Sequence, residues 1–125
     1  MDQFKILIVD DSIVVRNELG SILKRHGFSV IEAEDGNDGL HRLANEPGID
    51  LIIADHYMPS MAGMDMIKKI KSDQRFAKIP IIMITSESST KLKDIGKENG
   101  VMAWALKPYD REAIVELVRE MLKIG

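Results

Sequence analysis

Phe4-Lys5-Ile6-Leu7-Ile8-Val9-Asp10-Asp11 decides the fold: a short, β-branched, nearly continuous apolar run that stops at two carboxylates. Such a run suits a strand buried on both faces, as a parallel sheet requires. Leu51 to Ala54 (Leu-Ile-Ile-Ala) and Ile79 to Ile84 (Ile-Pro-Ile-Ile-Met-Ile) repeat the pattern. Phe28 to Ala33 and Val101 to Leu106 carry a weaker form of it. Between these runs the apolar residues fall at helical spacing. Val15, Leu19, Ile22 and Leu23 make one stripe, with Ser12 as its N-cap and Gly27 beyond its end. Leu40, Leu43 and Ala44 make a second, Met66, Ile67 and Ile70 a third, and Leu92 and Ile95 a fourth stopped by Asn99-Gly100. Ile114, Leu117, Val118 and Met121 make the last, with Asp110 as N-cap. Strands alternating with helices imply an α/β fold, a doubly wound parallel sheet with helices on both faces. Right-handed crossovers restrict its topology, and its sites lie outside the carboxyl ends of the strands.

The chain has 125 residues, about one domain by length, so residues 1–125 read as a single unit. A net charge of −3 argues against nucleic-acid binding by bulk basicity. No apolar run nears the roughly 18 residues of a membrane span, so no membrane insertion is expected. The N-terminus lacks the basic region of a signal peptide. With 0 cysteines there is no disulfide framework, thiolate metal site or cysteine nucleophile. These features fit a cytoplasmic protein.

The strand ends hold the chemistry. The first strand ends in Asp10-Asp11, the third in Asp55, the fourth in Thr85-Ser86 and the fifth in Lys107-Pro108. A parallel sheet brings them to one edge. Two like charges about 4 Å apart repel by roughly 4 kcal/mol at an effective dielectric of 20, so clustered carboxylates need compensation beyond one lysine. A hard divalent cation such as Mg²⁺, which uses one or two carboxylates with phosphate and water, would supply it. The set points to phosphoryl chemistry: carboxylates for a metal, one carboxylate as nucleophile, and Lys and Thr for phosphoryl oxygens.

Val9-Asp10-Asp11-Ser12, the segment Asp55 to Gly63 (Asp-His-Tyr-Met-Pro-Ser-Met-Ala-Gly), Ile84-Thr85-Ser86 and Leu106-Lys107-Pro108-Tyr109 together resemble the receiver domain of two-component response regulators. The resemblance covers the whole chain, in the family's order and spacing. It implies a flavodoxin-like (βα)₅ fold with strand order 2-1-3-4-5. It implies that Asp55 accepts a phosphoryl group from the phosphohistidine of a histidine kinase or phosphotransfer protein. It places Mg²⁺ on Asp10, Asp11, Asp55 and the backbone carbonyl of Tyr57. Thr85 and Lys107 match the residues that contact the phosphoryl group, Thr85 and Trp104 match the switch positions, and a cis Lys107-Pro108 bond is favoured. The readout surface would be helix four, strand five and helix five, engaging a downstream protein as a monomer or as a phosphorylation-dependent dimer. Thr85-Ser86-Glu87-Ser88-Ser89, then Gly96-Lys97, Gly100 and Trp104, resemble a chemotaxis-type subset of stand-alone regulators, consistent with no output domain following Gly125.

The family varies widely at His56 and Tyr57. Tyr57 beside an acyl phosphate would restrict attacking water, whereas Glu87 would help to orient it. His26, His41 and His56 read as ordinary surface histidines, and Met58, Met61, Met64 and Met66 as packing residues around the third helix. Lys91, Lys93 and Lys97 read as a solvated face. The alternative function is a small Mg-dependent aspartyl-phosphate phosphohydrolase. Such enzymes place a second Asp two residues after the first, where this chain has Ser12, and carry a cap. A flavin mononucleotide carrier needs a Ser/Thr/Gly-rich phosphate loop where Asp10-Asp11 would repel phosphate.

Overall fold

The computed structural model describes residues 3–87 and 89–124. Met1, Asp2 and Gly125 lie outside these, as does Ser88 of the chemotaxis-type stretch. The elements run β1 (Lys5–Val9), α1 (Ile13–Arg25), β2 (Ser29–Ala33), α2 (Gly36–Asn45), β3 (Ile49–Ala54), α3 (Gly63–Lys71), β4 (Ile81–Thr85), α4 (Thr90–Glu98), β5 (Val101–Leu106) and α5 (Arg111–Leu122). All strand pairs are parallel, and the order is β2-β1-β3-β4-β5.

The continuous apolar runs exist because each central strand feeds two cores. Ile6, Ile8, Leu51, Ile53, Ile82 and Ile84 pack with α1 and α5. Their neighbours Leu7, Val9, Ile52, Ala54, Ile81 and Met83 pack with α2, α3 and α4. The weaker runs are the edge strands β2 and β5, each paired on one side only. The register of β5 against β4 shifts between Ile81 and Ile82, passing over Met102. Such an extra residue is left out of the ladder, and Met102 is 61% exposed.

The caps follow the sequence. The Ser12 hydroxyl accepts from Val15 N–H at 3.3 Å, and Asp110 from Glu112 N–H at 3.0 Å. Gly27 and Gly100, just past α1 and α4, have φ of +90°, which suits glycine. Strand four starts two residues later than its apolar run. Pro80 has no N–H to donate, so it contributes only its carbonyl, which accepts from Ile52 N–H at 3.0 Å.

The chain leaves β1 toward β2 on one side and returns to β3 on the other. That switch in strand order opens a crevice at the carboxyl ends of β1 and β3, the usual ligand position in such sheets.

Candidate functional site

Asp10 and Asp55 stand one residue past β1 and β3, and backbone bonds fix both. Asp10 N–H donates to the Ala33 carbonyl at 3.1 Å, and Asp55 N–H to the Val9 carbonyl at 3.1 Å. Asp10 is 3% exposed and Asp55 6%. Lys107, held past the end of β5 by its N–H on the Thr85 carbonyl at 2.9 Å, reaches across β4 to Asp55 and past β3 to Asp10. Its Nζ donates to Asp10 Oδ2 at 2.9 Å and Asp55 Oδ2 at 3.0 Å. The Lys107-Pro108 peptide is cis.

Asp11 completes the acidic cluster. One carboxylate oxygen from each of Asp10, Asp11 and Asp55 lies within 4.8 Å of the others. Asp11 is exposed, and its carboxylate has no hydrogen-bond or ion-pair partner among the described residues. Three carboxylates against one ammonium leave the pocket strongly negative. The donors are all oxygen and converge, which is the set a hard cation prefers. Burial pushes the Asp10 carboxyl above its usual range, outweighing the Lys107 ammonium and the Ser12 N–H that pull it down. Burial pulls the Lys107 ammonium down, but its two carboxylate partners together outweigh that and leave it raised.

The loop between β3 and α3 is folded tightly against Asp55. A Cβ on Gly63 would fall 2.0 Å from the Asp55 carbonyl oxygen and 2.8 Å from His56 Cα, so only glycine fits. Gly63 N–H donates to the His56 carbonyl at 2.8 Å. His56 Nδ1 accepts from Met64 N–H at 3.3 Å, capping α3 where its N-cap residue, Ala62, has no side-chain acceptor. Tyr57 N–H donates to Asp55 Oδ1 at 3.3 Å. Its phenol donates to Glu87 Oε1 at 2.5 Å, which joins the β3–α3 and β4–α4 loops. That bond raises the Tyr57 pKa and lowers that of Glu87. Two residues that sequence reasoning set in opposition are therefore bonded partners.

Thr85 is fully buried at the end of β4, and its hydroxyl accepts from Glu87 N–H at 3.4 Å. Trp104 lies opposite Met83 on β5, and Leu106 opposite Thr85. Trp104 and Thr85 are thus two rungs apart on the same face of the sheet. The indole packs against α4: an ideal Cβ on Gly96 would stand 3.0 Å from Trp104 Cζ3. Its Nε1 is buried with no acceptor among the described residues. A groove of about 320 Å³ between α4 and β5 is lined by Lys93, Asp94, Lys97, Val101, Met102 and Trp104. His26 and His41 are exposed, as expected, while Met64 and Met66 are core residues.

Arg16 and Glu32 also adjoin the site, and sequence reasoning passed over both. Arg16 Nη1 donates to the Asp10 carbonyl at 2.5 Å, and its Nε lies 3.3 Å from Glu32 Oε1. A signal existed. Arg16 stands at the start of α1, where the helix dipole disfavours a cation and no acidic residue occupies the first turn.

Comparison with known proteins agrees with this fold. Residues 6–119 match the family described as the response regulator receiver domain. The chain is 36% identical over 119 residues to chemotaxis protein CheY1 of Helicobacter pylori, covering 94% of this chain and 96% of that one. It is 32% identical over 118 residues to protein PilH of Pseudomonas aeruginosa, covering 94% and 97%. Among solved structures, chemotaxis protein CheY4 of Vibrio cholerae superposes with a TM-score of 0.92 at 32% identity, covering 97% of this chain and 100% of that one.

Proposed function

The chain belongs to the response regulator receiver domain family, and from that premise we propose that Asp55 is its phosphoacceptor. The observation that carries this is the pairing of Asp55 with Lys107 at 3.0 Å, inside an acidic cluster at the switch point of the sheet. An Asp55 carboxylate oxygen attacks the phosphorus of a phosphohistidine. The N–P bond breaks, the imidazole leaves and takes up a proton, and the phosphoryl group remains on Asp55. Lys107, already positioned by two carboxylates, meets the phosphoryl oxygens. Asp10, Asp11, Asp55 and the Tyr57 carbonyl would hold Mg²⁺, which would supply positive charge to offset that of the transferring phosphoryl group. Ile13 and Val14, 62% and 63% exposed just beyond Asp11, offer apolar surface to the donor histidine kinase or phosphotransfer protein.

Phosphorylation adds about −1.5 to −2 charge beside Lys107. Thr85 turns its hydroxyl toward that charge, and Trp104 moves into the space behind it. The indole N–H has no acceptor among the described residues, so no hydrogen bond to them pins the ring where it stands. The surface of α4, β5 and α5 then changes its affinity for a downstream protein, in chemotaxis or motility signalling in the cytoplasm. No helix among the described residues is long and apolar enough to cross a membrane. The phosphohydrolase reading is less well supported, because the Ser12 hydroxyl is engaged as the cap of α1.

Intact mass after incubation with Mg²⁺ and a small phosphodonor tests the assignment. Wild type should gain one phosphoryl group, and Asp55→Asn none. Equal labelling of the two proteins would overturn it.

A further inference from the structure

We propose that Arg16 is a positioning residue for the acidic cluster: it clamps the peptide between Asp10 and Asp11, and so aims the Asp11 carboxylate at the cation. The proposal rests on the metal reading above.

Asp10 is held at four points. Its N–H donates to Ala33 on β2 at 3.1 Å, and its carbonyl accepts from Arg16 at 2.5 Å. Its two carboxylate oxygens accept from Ser12 N–H and from Lys107, each at 2.9 Å. Asp11 has no such support, since nothing among the described residues bonds its carboxylate. The direction of its side chain therefore depends on its backbone. The Asp10 carbonyl and the Asp11 nitrogen belong to one planar peptide, so a bond that fixes the first orients the second. Arg16 makes that bond.

Arg16 is itself anchored. Glu32, on β2 opposite Ile8, pairs with Arg16 Nε at 3.3 Å, and the Arg16 side chain is only 13% exposed. Asp10 is thus tied to β2 on both sides, through its own N–H on Ala33 and, at the peptide to Asp11, through Arg16 and Glu32. A planar guanidinium presents donors in a fixed fork and serves both acceptors at once. Lysine keeps the charge and loses the fork. Holding a cation at the start of α1 also costs helix stability, because it opposes the dipole. The bonds to Asp10 and Glu32 are what that position gains.

Bulk electrostatics and positioning predict opposite signs. A cation near the cluster repels Mg²⁺, so on charge alone its removal strengthens Mg²⁺ binding. If Arg16 aims Asp11, its removal weakens binding. Partners of metal ligands typically contribute about 10–100-fold in affinity.

The experiment is calorimetric titration of Mg²⁺ into wild type, Arg16→Met, Arg16→Lys and Glu32→Gln, at moderate salt and well below each melting temperature. Circular dichroism in chelator confirms the fold. Arg16→Met and Arg16→Lys should each weaken Mg²⁺ binding by about tenfold, and Glu32→Gln by less. Should Arg16→Met fail to fold, Arg16→Lys and Glu32→Gln decide by the same criterion. A wild type that binds no Mg²⁺ overturns the metal reading and this proposal with it. A wild type that binds Mg²⁺ while the variants bind it equally or more tightly, even with lowered melting temperatures, overturns the clamp alone.

Discussion

Replacing Lys107 by methionine removes the cation that two buried carboxylates share. Its Nζ stands 2.9 Å from Asp10 and 3.0 Å from Asp55. At an effective dielectric of 20, each contact carries roughly 5.6 kcal/mol of attraction before desolvation. Desolvation cancels much of this, and breaking a buried pair from one side costs about 3–5 kcal/mol. The Lys107 side chain is 21% exposed, so the low end, about 3 kcal/mol, applies at pH 7. Protonation sets a ceiling. A carboxyl can escape by binding a proton, at a cost of about 1.4 kcal/mol for each pH unit above its ordinary pKa. From an ordinary value of 3.8, that is roughly 4.4 kcal/mol at pH 7 and roughly 1.6 kcal/mol at pH 5. The Asp10 pKa is already raised by burial, and losing Lys107 raises it further. The folded variant then holds more protons than its unfolded chain, so its stability falls as pH rises from the ordinary carboxylate value through the raised one. Urea unfolding in chelator reads this directly. With a slope of about 1.5 kcal/mol per molar, the variant's midpoint should lie about 2 M below wild type at pH 7 and about 1 M or less below it at pH 5. Equal deficits at the two pH values, or none at pH 7, would refute the reasoning.

Gly63→Ala should cost at least about 3 kcal/mol, since its Cβ would overlap backbone at Asp55; Gly27→Ala, with open space and only a φ of +90° to strain it, should cost about 1 kcal/mol in the same urea assay. Both of the 2 tyrosines should resist ionisation. Tyr57 is raised by its bond to Glu87, and Tyr109 is pushed up to about 12 by burial and then by Glu18. The stability held by the neutral Tyr109 phenol is full below its ordinary pKa of 10.0 and is lost as pH rises from there to about 12. Ultraviolet titration should therefore show less than half of the tyrosine ionised at pH 10, and half or more would contradict it. Trp104 emission should shift to the blue when Mg²⁺ and beryllofluoride are added together. Thr85→Ala should abolish that shift, and Gly96→Ala, which crowds the ring at 3.0 Å, should alter emission without ligand. An unchanged wild-type spectrum with the site occupied would sink the switch reading.

The central strands were legible because their residues serve two cores at once, which leaves an unbroken apolar run in β1 and β4. Strand β3 extends back past Leu51 to Ile49. Asp50 interrupts the run there, with its carboxylate accepting from Lys5 N–H at 2.8 Å. The site was legible as a set of strand ends, because a parallel sheet gathers those ends whatever the side chains do. Contacts between distant side chains were not. Lys107 and Asp10 are 97 residues apart, and their bond depends on a lysine spanning the ends of β4 and β3. Tyr57 and Glu87 meet through two loops whose path no periodicity encodes. His56 read as a surface residue and is a helix cap, a role fixed by where the loop turns rather than by its neighbours in the chain.

Locating the phosphoryl group tests the central claim most directly. The protein is phosphorylated by a phosphohistidine donor in Mg²⁺ and reduced with borohydride, which converts an aspartyl phosphate to homoserine. It is then digested and sequenced by mass spectrometry. The account predicts homoserine at position 55 and at no other aspartate, and none in the Asp55→Asn protein. Homoserine at Asp10 or Asp11 in wild type, with position 55 unreduced, would contradict it.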